Sequence, residues 1–193
     1  MITHLKGRLV EKSPTAVVVE CNGVGYEAHI SLHTFSLLPE SENVKLYTHM
    51  MVREDSHTLY GFFEPSEREI FKLLISVSGV GASTARTMLS SLPPKQVQEA
   101  IATGNVAVIQ GVKGIGAKTA QRVILDLKDK ILKVFAMEDV SDFSSNTNRD
   151  EALSALETLG FSRKQTDKVL SKIVQEDPNA SVESIIKLAL KNL

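Results

Sequence analysis

Along the first 64 residues, apolar and polar positions alternate in five short runs, "LKGRLVEK", "TAVVVEC", "GYEAHIS", "NVKLYTHMMVRE" and "HTLYGFF". A period of two marks strands with one buried face. Val17, Val19 and Cys21 fall together on such a face, and the Asn22-Gly23 step after them predicts a hairpin, because a tight hairpin turn needs positive φ at both central positions. "HTFSLLPE" interrupts the alternation and predicts a short helical plug between the third and fourth strands. Five short strands of this kind predict an OB-type β-barrel over residues 1–64.

From Pro65 the spacing becomes helical. Pro65 ends the sheet, Ser66 and Glu69 have the separation of a capping box, and about five helices are predicted over residues 65–136, the last from Ala117 to Phe135. The following residues, 137–149, are polar and rich in Ser, Asn and Asp, which predicts a flexible linker. Helical spacing resumes over 150–193 with Leu153, Leu156 and Leu159, then Val169, Leu170 and Ile173, then Ile185, Ile186, Ala189 and Leu190. Ser162 with Gln165 gives a second capping box, and Ser181 is a good N-cap. A three-helix, UBA-like unit of this size buries little apolar surface and reads as a tethered binding module. The predicted fold class is therefore multidomain α+β: a barrel, a central helical domain and a small helical tail.

The central part contains a repeat. "VSGVGASTARTML" (77–89) and "VKGIGAKTAQRVI" (112–124) align at a shift of 35, pairing Gly79 with Gly114, Gly81 with Gly116, Thr84 with Thr119 and Ala85 with Ala120. Each copy has helix-forming apolar residues on both sides, so each predicts a helix, a glycine turn and a second helix. The glycines permit positive φ and leave the backbone uncovered. Free N–H groups and the dipole at the start of the second helix then favour an anion. A nucleotide-binding P-loop is ruled out: Gly111 and Gly116 have its separation, but Ala117 intervenes and turns Lys118 away by about 100°. The dinucleotide fingerprint also fails, because Thr119 stands where its third glycine belongs. The anion that suits both turns is a phosphate of a nucleic-acid backbone.

Charge supports this assignment only when it is resolved along the chain. The net charge is −1, yet residues 65–135 carry 10 basic and 5 acidic residues, against 5 and 8 before them and 7 and 10 after. The glycine turns thus lie in the one basic segment. Cys21 is the single cysteine, which excludes an internal disulfide, and the absence of a signal-like or membrane-spanning run leads to the expectation of a cytoplasmic protein without membrane contact. Of the histidines only His29 and His33 stand four apart, and they lack further ligands, so no metal and no cofactor is expected. No nucleophile, base and orienter form a set, so no catalytic residue is expected. Glu54 and Asp55 lie side by side between two predicted strands. They read as solvated surface charge, or, in a DNA-binding protein, as a pair that repels phosphates at about 1 kcal/mol per contact.

Each glycine copy resembles the helix-hairpin-helix motif, a sequence-independent DNA-binding element. The whole order, a barrel with "VREDSHTLYGF", the copies "SGVGASTA" and "KGIGAKTA", a polar linker and a three-helix tail, resembles the RuvA family, Holliday-junction-binding subunits of bacterial branch-migration machines that act in recombination, repair and the SOS response. The resemblance implies a homotetramer, with a face-to-face octamer as the alternative on DNA, holding four-way junction DNA open and nearly square-planar. It implies phosphate contacts from Gly79, Gly81, Gly114 and Gly116, with Lys118, Thr119 and Arg122 adding to them. Ser83 and Thr84 occupy the first copy where family members often have a lysine, so that grip leans on amides and hydroxyls. Glu54 and Asp55 match the family's acidic pin. The tail would dock the hexameric ATPase RuvB, with Leu156, Leu159, Phe161 and Leu170 as the expected surface; RuvC resolvase is a further expected partner. The chain itself would have no ATP site and no catalysis. Two other readings stay open at the level of sequence: a nuclease-like enzyme using Glu54 and Asp55 as metal ligands, and a DNA-bound adaptor without junction preference.

Overall fold

The alternating runs become strands β1 (His4–Lys12), β2 (Ala16–Cys21), β3 (Val24–His29), β4 (Asn43–Val52) and β5 (His57–Phe62). They come from a computed structural model that describes residues 1–40, 43–136, 147–177 and 180–193. The strands close a barrel in the order β1-β2-β3-β5-β4, with β1 pairing β4. All pairs are antiparallel except β3 with β5, which meet in parallel at His29 and Tyr60. Asn22 and Gly23 take φ of 49° and 84°, so the β2–β3 hairpin has the two left-handed residues its sequence predicts. Leu5, Val17, Val19, Ala28, Ile30, Val44 and Leu46 fill the interior, and Cys21 is half-buried at its margin.

Helix α1 (Leu32–Leu37) is the predicted plug between β3 and β4, capped by Ser31, whose hydroxyl accepts from the Thr34 amide. β4 loses its alternation for a physical reason: Val44, Leu46 and Thr48 point into the barrel, while Tyr47 and Met51 pack on the helical core outside. From Tyr47 to Met51 both faces of that strand are at least partly covered, while Asn43, Lys45 and Val52 stay exposed.

Five helices follow, α2 (Pro65–Ile75), α3 (Ala82–Ser91), α4 (Pro94–Thr103), α5 (Val106–Gln110) and α6 (Ala117–Ala136). The expected Ser66–Glu69 capping box does not form. Pro65 occupies the first helical turn and forces Glu64, extended at φ −111° and ψ 143°, to be the N-cap. Glu69 instead pairs with Lys72 at 2.9 Å. Phe71, Leu74, Met88, Leu89, Ile101, Ile109, Leu127 and Ile131 form one core beneath these helices, and Phe62 joins it from the end of β5.

The barrel is fastened to this core by polar contacts as well. Glu67, in the first turn of α2, is wholly buried and accepts hydrogen bonds from the hydroxyls of Ser31 and Thr34. Burial pushes its carboxyl above the usual range, against the opposing pull of the two hydroxyls. Arg68 donates to the Thr3 carbonyl (3.1 Å), the Leu32 amide to Ser90 Oγ (3.1 Å) and Arg86 to the Thr15 carbonyl (3.3 Å). Residues 1–135 form one compact unit.

The second unit holds α7 (Thr147–Thr158), α8 (Arg163–Glu176) and α9 (Val182–Asn192) around Ala152, Leu153, Leu156, Leu170, Ile173, Ile185 and Ala189. Of the expected linker 137–149, residues 137–146 lie outside the described residues, and 147–149 already belong to α7. Ser181 caps α9 as predicted. Ser162 is the N-cap of α8, but its hydroxyl donates to Gln165 Oε1 (2.7 Å) rather than bonding a backbone amide.

Candidate nucleic-acid interface

The two glycine turns repeat each other bond for bond. Val77 N donates to Leu74 O, Val80 N to Val77 O and Ala85 N to Gly81 O; at the same shift, Val112 N donates to Ile109 O, Ile115 N to Val112 O and Ala120 N to Gly116 O. Gly79 and Gly114 take φ of 92° and 90°, the left-handed conformation that reverses the chain between the helices. Buried Val77 and Val80 in one turn, and Val112 and Ile115 in the other, hold each loop down on the core. The glycines are thereby left outermost, with nothing within 4 Å of where a side chain on Gly79, Gly81, Gly114 or Gly116 would begin.

Gly81 caps α3 without any side-chain hydrogen bond, so the first-turn amides of that helix have no capping oxygen from the cap residue. An anion approaching there meets N–H groups and the positive end of the helix dipole. Ser83 and Lys118 are exposed beside the two turns, and Thr84 and Thr119 are half-buried. Arg122 is exposed on α6, but one guanidinium N–H is already engaged: it donates to the Ser78 carbonyl at 3.3 Å, tying the second hairpin to the first turn. Lys113 is exposed next to Gly114 and joins the candidates; its signal lay in the repeat itself, where it aligns with Ser78.

Glu54 and Asp55 form the exposed tip of the β4–β5 hairpin, where the Arg53 amide donates to the Ser56 carbonyl (2.8 Å) and Ser56 Oγ to Asp55 Oδ1 (3.3 Å). In the second unit the expected docking residues divide. Leu156 and Leu170 are 0% exposed and belong to its own core, which removes them from any surface; Leu159 is 62% exposed and Phe161 half-buried. The resemblance proposed these four as one surface, and packing placed two of them at the centre of the unit's core.

His29 and His33 do not converge: the His29 ring lies against Tyr60 at 5.9 Å, and His33 Nε2 is 3.5 Å from Glu64. Among the described residues, no group of three or more His, Cys, Asp or Glu could hold a metal ion. No helix of the described residues is long and apolar enough to cross a membrane.

Comparison with known proteins agrees with this geometry. Residues 1–61 match the RuvA N terminal domain, 71–129 a SAM-like helix-hairpin-helix tandem and 147–193 the RuvA C-terminal domain. The proteins named Holliday junction branch migration complex subunit RuvA from Christiangramia forsetii and Flavobacterium psychrophilum are 69% and 64% identical to the chain, each over the full length of both sequences. One from Bacteroides thetaiotaomicron is 48% identical, again over the whole of both. The chain belongs to the RuvA family. The helix-hairpin-helix match spans both glycine turns, and the RuvA C-terminal match begins at Thr147, where α7 begins.

Proposed function

We propose that this chain binds Holliday junctions without regard to base sequence, holds them open, and presents them to a motor ATPase for branch migration. The observation that carries the reading is the pair of equivalent turns, each with bare glycines at the start of a helix, in the one basic segment of the chain. Backbone amides see phosphate oxygens and not base edges, so such a grip positions DNA without specifying its sequence. The name carried by the 69% and 64% identical relatives supports the same reading.

In this reading Gly79, Gly81, Ser83 and Thr84 hold one stretch of backbone, and Gly114, Gly116, Lys118, Thr119 and Arg122 hold the next. The acidic tip, Glu54 and Asp55, faces the crossover and drives phosphates apart there. Leu159 and Phe161 of the tail dock RuvB, which supplies ATP hydrolysis; this chain is non-catalytic and needs no cofactor. Four copies arranged around a fourfold axis bring the turns to all four arms, a second tetramer closes the opposite face, and RuvC shares the open junction. Closed symmetry turns many modest grips into one strong clamp.

Mass measurement with and without four-way DNA tests the assembly: a tetramer alone, and a tetramer or octamer on DNA, are expected. Glu54→Gln combined with Asp55→Asn should leave junction affinity equal or higher while reducing the preference for four-way over linear DNA. A sharp fall in affinity would contradict the repulsive role. Magnesium-dependent strand cleavage that vanishes in Glu54→Gln would replace this reading with an enzymatic one.

A further inference from the structure

The acidic tip and the first glycine turn are the two ends of a bent lever. β5 runs from the tip to the corner at Phe63, six residues or about 20 Å. From that corner α2 runs 11 residues, about 16 Å, to the turn at Gly79. On these lengths, a rotation of about 5° at the corner moves the tip by about 2 Å relative to the turn.

Glu67 lies at the corner. The Thr34 amide donates to Ser31 Oγ (3.0 Å) and the Phe63 amide to Thr34 Oγ1 (3.0 Å), so each hydroxyl oxygen already accepts a backbone N–H. Each hydroxyl then gives its only proton to one oxygen of the Glu67 carboxylate. Both hydroxyls belong to the plug helix and its cap, which thereby bonds the strand-to-helix corner at Phe63 and the first turn of α2 at Glu67 together. In its ionised form the Glu67 carboxyl group only accepts and satisfies both hydroxyls; an amide always sets a donor against one of them.

Apolar contact alone would not fix this angle. Phe62 and Phe71 pack with ring centroids 5.0 Å apart across the same corner, but such contacts are non-directional and tolerate sliding. A buried carboxyl group held by two directed hydroxyls does not, because any shift leaves polar atoms without partners away from water.

We infer that Glu67 is a positioning residue for junction recognition: with Ser31 and Thr34 it locks the angle between barrel and α2, and so sets where the acidic tip stands relative to the glycine turns. The inference rests on the roles given to tip and turns under the proposed function. Its consequence is specific, since DNA grip stays with the turns and only the discrimination of four-way from linear DNA depends on the lock.

The test uses the full chain with Glu67→Gln, Thr34→Val and Thr34→Ser. Affinity for a four-way junction and for linear duplex is measured by fluorescence anisotropy, and opening at the crossover by 2-aminopurine fluorescence. Glu67→Gln and Thr34→Val should keep duplex affinity within about twofold, yet lose about fivefold or more of junction preference, together with the 2-aminopurine signal. Thr34→Ser, which restores the hydroxyl, should behave as wild type. Should Glu67→Gln fail to fold, the two Thr34 variants decide. Wild-type preference in Thr34→Val, or an equal loss of junction and duplex affinity, overturns the inference and leaves the proposed function standing. A wild-type protein without junction preference overturns both.

Discussion

Gly81 caps α3 at φ −84° and ψ 165°, a conformation open to any residue, and nothing lies within 4 Å of the position its Cβ would take. Gly116 has the same place in the second hairpin and the same open surroundings. Alanine at either position removes about 0.4–1 kcal/mol of unfolded-chain freedom, while giving up a glycine preference at the N-cap of similar size. The two effects oppose, so stability should change by less than about 0.5 kcal/mol, or about 2 °C in Tm for a unit of this size. Binding should respond differently. A methyl group on the open face keeps a phosphate from closing on the helix-start amides, and a hydrogen bond to a charged group contributes about 1.5–3 kcal/mol. Each substitution should therefore weaken binding about tenfold or more, on duplex and junction alike. Gly79→Ala and Gly114→Ala provide the contrast: at φ near 90° they should cost about 1–2 kcal/mol of stability before any DNA is added. Thermal unfolding and anisotropy titrations on all four variants separate the outcomes. If Gly81→Ala and Gly116→Ala bind within about twofold of wild type, phosphates do not approach these amides and the reasoning fails.

Three further outcomes are expected. Lys118→Ala should weaken junctions of every sequence alike and reduce the slope of log affinity against log salt by about 0.9 per site, checked by titration at several salt concentrations; a sequence-selective loss would count against a phosphate contact. Leu156→Ala should destabilise the three-helix unit by about 2–5 kcal/mol, seen as lost hydrogen-exchange protection in α7 to α9, whereas Leu159→Ala should leave protection intact and weaken capture of RuvB. Because burial raises the Glu67 carboxyl above its ordinary 4.5, its proton favours the folded state: that contribution is complete below pH 4.5 and is lost as pH rises through the higher folded value. Glu67→Gln should flatten the pH dependence of unfolding free energy in that window, and an unchanged profile would argue against it.

Much of this molecule is legible in short stretches of sequence. Asn22-Gly23 specified its own turn, Ser181 its own cap, and the doubled V-x-G-[VI]-G pattern its own pair of hairpins, because each demand is a backbone angle or a free amide set within a few residues. The closed sheet and helical tail followed from the period of the apolar positions. Other features needed the assembled fold. Leu156 lies in α7 and Leu159 in the turn just past its end at Thr158, and the packing of the three-helix unit decided which is core and which is surface. Glu67 belongs to no motif in the sequence; it can be buried because hydroxyls 33 and 36 residues earlier arrive to satisfy it. Arg122 reads as a free phosphate ligand, yet it reaches back 44 residues to the Ser78 carbonyl. Local conformation is written in neighbouring side chains, whereas burial and polar pairing depend on which distant groups the packed core brings together.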